Sequence, residues 1–399
     1  MNVKISPCTL DGDVIAPPSK SAVHRAFLCA ALAEKKSEIV IGELSKDIQA
    51  TVRCIDSLGG NVVRKGDTVE IRPVGGVGKA LLDCGESGST LRFFLPVAAA
   101  LGTEATFFGS GKLPSRPIGE LLTVLRGCTV SSERLPLTVR GRLQSGEFRL
   151  RGDVSSQYVT GLLFALPLLG GDSSIVLTTP LESASYVEMT LDALQRSKIA
   201  FRRTENGYFV PGGQRYCPPE RTEIEGDWSN AAFFITASAI GNLVRVRGVD
   251  RQSAQGDAVI RDVLLSLRSS GAEIDAGNIP DLVPIVSVAA AYATGRTVIR
   301  NAARLRAKEC DRLHAMALNL NALGGKVRET DDGLVIDGTG GLHGGRVEGF
   351  NDHRIVMSMA IAATKADGPV EITDAEAVAK SYPAFFEEFR RLGGKADVL

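Results

Sequence analysis

The chain has 399 residues, 44% of them hydrophobic, and its 46 Lys plus Arg balance 46 Asp plus Glu. That length supports a sizeable core and two domains or one large one, while zero net charge excludes a broad basic face for nucleic acid or anionic lipid, so any positive field is local. No run approaches the roughly 18 to 20 apolar residues of a membrane span, the first residues lack a signal peptide's apolar region, and seven cysteines without a C-x-x-C pair fit a reducing cytoplasm rather than a disulfide framework.

Taken in chain order, the first informative segment is Pro17-Pro18-Ser19-Lys20-Ser21-Ala22-Val23-His24-Arg25. Two prolines end an extended stretch, and Ser19 can cap the helix that follows. The body of that helix (Ala22, Val23, Ala26, Phe27, Leu28, Ala30, Ala31, Leu32) is apolar almost all round and is expected to be buried. Lys20 and Arg25 in its first turn oppose the macrodipole unless an anion sits in front of them. Read alone, a surface helix start with basic residues in water explains the segment equally well. The arrangement recurs, however. Ser87-Gly88-Ser89-Thr90-Leu91-Arg92 leads into an apolar helix through Leu101, with Gly88 permitting close backbone approach. Ser155-Ser156-Gln157 opens a helix with body Tyr158 to Leu169, Lys308-Glu309-Cys310-Asp311-Arg312 begins one running to Leu323, and Asn351-Asp352-His353-Arg354 opens one from Ile355 to Ala363. Polar entrances onto apolar bodies make sense if several N-termini converge on one anionic ligand.

A second pattern is a repeat. Amphipathic helices end at Gly59-Gly60, Gly127, Ser197, Gly271, Gly324-Gly325 and Gly393-Gly394, and short strands follow at Asn61–Val63, Cys128–Val130, Lys198–Ala200, Ala272–Ile274, Lys326–Arg328 and Lys395–Val398. Spacings counted from Gly60 are 67, 70, 74, 54 and 69 residues, which predicts six similar α/β units, three on each side of the midpoint. Helix-Gly-strand joints are common in α/β proteins, and repetition says nothing of activity. Four scattered histidines supply no metal-ligand grouping.

Eight motifs, in order, resemble those of the EPSP synthase family of enolpyruvyltransferases. They are Pro18-Ser19-Lys20-Ser21 with Arg25, Gly85-Glu86-Ser87-Gly88-Ser89-Thr90 with Arg92, Arg116-Pro117-Ile118, Ser155-Ser156-Gln157, Pro280-Asp281, Lys308-Glu309-x-Asp311-Arg312, Asp352-His353-Arg354 and Lys380-Ser381-Tyr382-Pro383. The resemblance implies an α/β fold of two similar lobes, each of three βαβαββ units, the inside-out α/β barrel. It places the first lobe at 19–225 and the second at 1–18 plus 226–399, with crossover hinges at Val14 to Pro18 and Glu225 to Asp227, and lobes that close on ligand. It implies transfer of the enolpyruvyl group of phosphoenolpyruvate to the 5-hydroxyl of shikimate 3-phosphate, without metal or organic cofactor, by a cytoplasmic monomer.

Residue by residue, the resemblance assigns Lys20, Ser21, Arg25, Ser155, Ser156, Gln157, Ser183, Asp281 and Lys308 to shikimate 3-phosphate. Lys20, Gly88, Arg116, Gln157, Arg312, Arg354 and Lys380 go to phosphoenolpyruvate, and Arg92 is a supporting residue. Asp281 fits a base toward the hydroxyl, and Glu309 and Lys20 fit proton transfer at the enolpyruvyl carbon. The inventory agrees in sign: the two substrates carry on the order of −5 to −6 charges, against motif cations Lys20, Arg25, Arg92, Arg116, Lys308, Arg312, Arg354 and Lys380. Duller readings stand beside these. Asp281, Ser155 and Ser156 suit helix caps, Glu309 and Arg312 at i,i+3 suit a surface salt bridge, and Cys310 suits a buried filler. Glu86 and Arg304 depart from the family's commonest pattern. The rival functions are the sister transferase acting on UDP-N-acetylglucosamine and a catalytically silent anion-binding scaffold.

Overall fold

The structure, a computed structural model, describes residues 1–268 and 271–399. The chain folds as two compact units, Pro18–Ile224 and Met1–Pro17 with Glu225–Leu399. Each has its own apolar core.

In the unit Pro18–Ile224 the helices are α1 (Lys20–Ala31), α2 (Lys46–Ser57), α3 (Gly88–Leu101), α4 (Gly119–Thr123), α5 (Ser156–Ala165) and α6 (Ala184–Arg196). Three four-stranded sheets share one plan, in which a leading strand lies parallel to a second and two antiparallel strands follow. One sheet runs Lys79–Asp83, Glu104–Phe108, Leu137–Gly141, Cys128–Val130, with Leu82 opposite Phe107 and Phe107 opposite Leu137. Strand alternation decides which face is buried: Ala80 and Leu82 point into the core, and Leu81 points to solvent. The other two sheets run Arg221–Glu223, Ser37–Val40, Thr68–Arg72, Asn61–Lys65 and Glu147–Leu150, Ser173–Leu177, Gly207–Val210, Arg202–Thr204.

The second unit holds α7 (Trp228–Ala239), α8 (Ile260–Ser266), α9 (Val283–Tyr292), α10 (Arg312–Ala322), α11 (His353–Ala363) and α12 (Phe385–Arg391). Two sheets repeat the same plan: Gly271–Asp275, Thr294–Arg300, Gly333–Thr339, Lys326–Thr330, and Gly345–Val347, Val370–Ile372, Val3–Ser6, Lys395–Val398. The sixth departs from it. Among the described residues Asp11–Ile15 pairs in parallel with Leu243–Arg247, and the antiparallel pair is missing. This is the physical meaning of the short 54-residue spacing. The next described strand after α8 is Gly271–Asp275, so the expected closing strand at Ala272–Ile274 is instead the leading strand of the next sheet.

Of the helices that carry the predicted entrances, α3 and α11 are buried nearly all round, as is α9. The entrance helices start where a side chain can accept the first orphan N–H groups: Ser19, Ser87, Ser155, Asp311 and Asp352 cap α1, α3, α5, α10 and α11. Lys308–Cys310 is therefore outside the helix it was expected to begin, because Asp311 receives the His314 N–H at 3.0 Å and sets the start at Arg312. The helix expected to reach Leu169 ends at Ala165, since Pro167 has no N–H to donate and a short 3-10 turn takes over. Lys198–Ala200 is not a strand: Lys198 adopts φ 62°, Ala200 is held by the Gln214 side chain, and pairing begins at Arg202. Gly161 on α5 permits close approach to α3, since a Cβ there would strike the Arg92 carbonyl, the oxygen that Pro96 leaves without its helical partner. Among the described residues no helix is long and apolar enough to cross a membrane.

Candidate active site

Within Pro18–Ile224, side chains bind the first turns of the helices together. Lys20 Nζ donates to Asp47 Oδ2 on α2 at 2.8 Å, with both side chains largely buried. His24 Nδ1 meets Thr51 Oγ1 at 2.8 Å, Thr51 meets Thr90 Oγ1 at 2.8 Å, and Thr90 donates to Ser87 Oγ at 2.7 Å, a hydroxyl relay from α1 through α2 to the cap of α3. Gln157 Nε2 donates to Ser89 Oγ at 3.0 Å and so joins α5 to α3. Burial first, then the charges of Lys20 and Arg25, hold His24 well below its usual pKa, which leaves a neutral imidazole in this relay.

Arg25 is buried and donates to the Ser21 carbonyl at 2.6 Å, the Tyr186 carbonyl at 2.7 Å and Thr190 Oγ1 at 3.0 Å. These acceptors are neutral, and burial lowers the guanidinium pKa to about 10, still charged at neutral pH. A cation in that setting gains from an anion placed nearby. At the start of α3, a Cβ on Gly88 would lie 2.5 Å from Arg92 Nη1 and 2.8 Å from Arg116 Nη1, so the bare backbone touches two guanidiniums. Arg92 donates to the Pro117 carbonyl at 2.8 Å and sits 5.8 Å from the Tyr158 ring, whose hydroxyl binds the same carbonyl. It braces the loop that carries Arg116. Ser155 accepts the Gln157 N–H at 3.3 Å, and Ser183, at φ 53°, precedes α6 and is buried.

In the other unit a buried arginine gathers three carboxylates. Arg312, at the first position of α10, donates from Nε to Asp352 Oδ2 at 2.7 Å, from Nη1 to Asp281 Oδ1 at 2.9 Å, and from Nη2 to Glu309 Oε2 at 2.8 Å. Burial alone would lower its pKa, but Asp352, Glu309 and Asp281 outweigh that and hold it well above the ordinary value. Arg354 Nη2 takes the second oxygen of Asp281 at 2.9 Å, and its Nη1 donates to the Asp281 carbonyl at 3.3 Å. Lys380, buried, donates to the Asn351 carbonyl at 2.6 Å, next to Asp352. Arg304 donates to the Gly277 carbonyl and pins the loop ahead of Asp281.

The duller readings are now decided by geometry. The Glu309–Arg312 pair is not a surface bridge, since the Arg312 side chain is 2% exposed. Ser155 does cap, while Asp281 lies inside the 3-10 turn Pro280–Leu282, where Ile279 holds the cap position and Leu282 that of α9. Cys310 has a thiol pushed well up by burial and then by Asp352, 3.6 Å away, so it is no thiolate nucleophile. The structure thus brings Lys20, Ser21 and Arg25 to one end of α1, Gly88, Arg116 and Gln157 around the start of α3, and Asp281, Glu309, Arg312 and Arg354 into one cluster. Sequence reasoning missed Asp47 and the Thr51–Thr90 relay. Asp47 two residues past Ser45 carries only the ordinary signature of a first-turn acid, and threonines inside helices carry none.

The fold and the clustered cations suit a transferase of the enolpyruvyl type. The family model for EPSP synthase, 3-phosphoshikimate 1-carboxyvinyltransferase, matches residues 6–389. Proteins named 3-phosphoshikimate 1-carboxyvinyltransferase from Clostridium kluyveri and Clostridium acetobutylicum are each 42% identical over 417 aligned positions, covering 99% and 98% of this chain and 98% and 97% of theirs. The alignment is longer than the chain, so these relatives carry residues that this one lacks. A solved EPSP synthase from Acinetobacter baumannii superposes with a TM-score of 0.82 at 25% identity, over 100% of both chains. The chain belongs to the EPSP synthase family.

Proposed function

We propose that this chain transfers the enolpyruvyl group of phosphoenolpyruvate to the 5-hydroxyl of shikimate 3-phosphate, releasing phosphate, in the pathway to chorismate. The reaction is an addition followed by an elimination. The acceptor oxygen bonds to C2 of the donor as its hydroxyl proton leaves and a proton arrives at C3. The tetrahedral adduct then loses a C3 proton and phosphate to restore the enol ether.

One observation carries the assignment of roles: Arg312 and Arg354 both hold Asp281, one guanidinium on each carboxylate oxygen. With a guanidinium on each oxygen, Asp281 keeps about half of its four acceptor sites for a hydroxyl, and its charge is shared with two cations. An anionic donor competes for the same N–H groups, since a planar guanidinium binds carboxylate and phosphate alike. Donor binding through Arg312, Arg354 and Lys380, with Lys20, Gly88, Arg116 and Gln157, releases Asp281 to take the acceptor's proton. Glu309, on the same guanidinium as Asp281, and Lys20 exchange protons with C3. Lys20, Ser21, Arg25, Ser155, Ser156, Gln157, Ser183, Asp281 and Lys308 hold the acceptor, whose phosphate offsets the buried charge of Arg25.

We place the reaction in the cytoplasm of a monomeric chain, a reading supported by seven free cysteines and by repeats that supply every assigned residue from one chain. A coupled phosphate-release assay tests the function: release with phosphoenolpyruvate and shikimate 3-phosphate, none with UDP-N-acetylglucosamine. The reverse preference, or no release with either acceptor, overturns it. Asp281→Asn should lower kcat by roughly 10²–10⁴-fold.

A further inference from the structure

Asp257 lies in the turn Gly256–Val259, against α7 and ahead of α8, and is 4% exposed. Its Oδ2 is hydrogen-bonded to Ser229 Oγ in the first turn of α7, while Oδ1 is buried without a hydrogen-bond partner among the described residues. An ionised carboxylate in this place leaves a charged oxygen without a donor, which costs more than the carbonyl oxygen of a neutral acid. Ser229 at the start of α7 touches it, and the charges that act on it are those of Asp281 from the turn before α9, Arg354 from α11 and Asp227 at the cap of α7. On its own side of the chain, α8 carries Arg261 and Asp262, and Arg261 stands 5.8 Å from the Trp228 ring. Burial and then the charge of Asp281 raise the Asp257 carboxyl to about 7, against the opposite pulls of Arg354 and Ser229.

We propose that Asp257 is a positioning residue for the donor: fixed by Ser229, its carboxyl competes with Asp281 and with the donor's anionic groups for the field of Arg354. The inference rests on the reading of Arg354 as a phosphoenolpyruvate ligand. In its neutral form Asp257 leaves the guanidinium to Asp281 and the donor. Once ionised it adds a negative charge beside the same guanidinium, and donor affinity falls.

The test is the KM for phosphoenolpyruvate between pH 5.5 and 8.5 in the unaltered enzyme, Asp257→Asn and Ser229→Ala. The donor's own phosphate titrates in this range but does so equally in all three, so the difference between proteins isolates Asp257. In the unaltered enzyme KM should rise roughly tenfold across neutrality, the size of a one-unit coupling, with kcat changing less. Asp257→Asn, always neutral and still able to accept from Ser229, should flatten that rise. Ser229→Ala, which removes the hydrogen bond to the ionised form, should move it to higher pH. An Asp257→Asn profile as steep as the original, or an unmoved midpoint in Ser229→Ala, overturns the proposal. If Asp257→Asn does not fold, the Ser229→Ala midpoint decides. Arg354→Gln separates the two layers: unchanged donor KM in that variant sinks the underlying reading, whereas weakened donor binding with an unflattened Asp257→Asn profile sinks only the role of Asp257.

Discussion

Replacing Arg312 by methionine removes a buried guanidinium that makes four hydrogen bonds to Asp281, Glu309 and Asp352 while roughly conserving volume. Hydrogen bonds to charged groups contribute about 1.5–3 kcal/mol each but do not add. The better guide is the cost of breaking a buried ion pair, about 3–5 kcal/mol, because the remaining carboxylates keep their desolvation penalty without their cation. The expected loss is therefore about 3–5 kcal/mol near pH 8. The sign of its pH dependence follows. Without the cation, ionisation of these carboxyls is disfavoured in the folded state only, so the folded protein binds more protons than the unfolded one above about pH 4, and stability falls as pH rises. The deficit should accordingly shrink at pH 5. Asp352→Asn added to the variant should recover part of it. Trp228, the one tryptophan, is buried in the same unit, so urea unfolding followed by its fluorescence reads the relevant transition. A deficit under about 1 kcal/mol, or one that is flat between pH 5 and pH 8, would refute the view that Arg312 is the cation these three acids depend on.

Gly88→Ala would put a methyl group 2.5 Å from one Arg92 nitrogen and 2.8 Å from one of Arg116, so steady-state kinetics should show a raised KM for phosphoenolpyruvate with the KM for shikimate 3-phosphate little changed. Asp47→Asn loosens the 2.8 Å tether on Lys20 and should lower kcat on the order of tenfold to a hundredfold with unchanged circular dichroism. A thiol reagent at pH 8 should modify exposed Cys217 first and leave Cys310 untouched until the chain is denatured, because burial and Asp352 keep its thiol protonated.

Much of this fold was legible because helix entrances are local. Ser19, Ser87, Ser155 and Asp352 sit before apolar runs, and each caps as its side chain allows. The errors arose where a competing local interaction intervened, as when Asp311 rather than Lys308 set the start of α10, or Pro167 cut α5 short. The short repeat spacing was visible as a number, but its cause was not, since a pair of strands missing among the described residues leaves no pattern to read. Within the site, the signs of the charges could be read from motifs, whereas the partner of each could not. That Arg312 divides itself among acids at 281, 309 and 352 depends on three chain segments meeting, and only the folded unit supplies that.

The sheet that stops at two strands gives the molecule one thin seam. Leu243–Arg247 has one neighbouring strand among the described residues, and its Val244 carbonyl accepts from the Ser238 hydroxyl. Arg245 and Arg247, both bridged to Asp13, put charge along this rim and discourage a foreign strand from docking there. Amide protons of this strand and of α8 should exchange with solvent sooner than their counterparts in the five complete sheets, so thermal opening of the unit starts at the flank that carries Asp257.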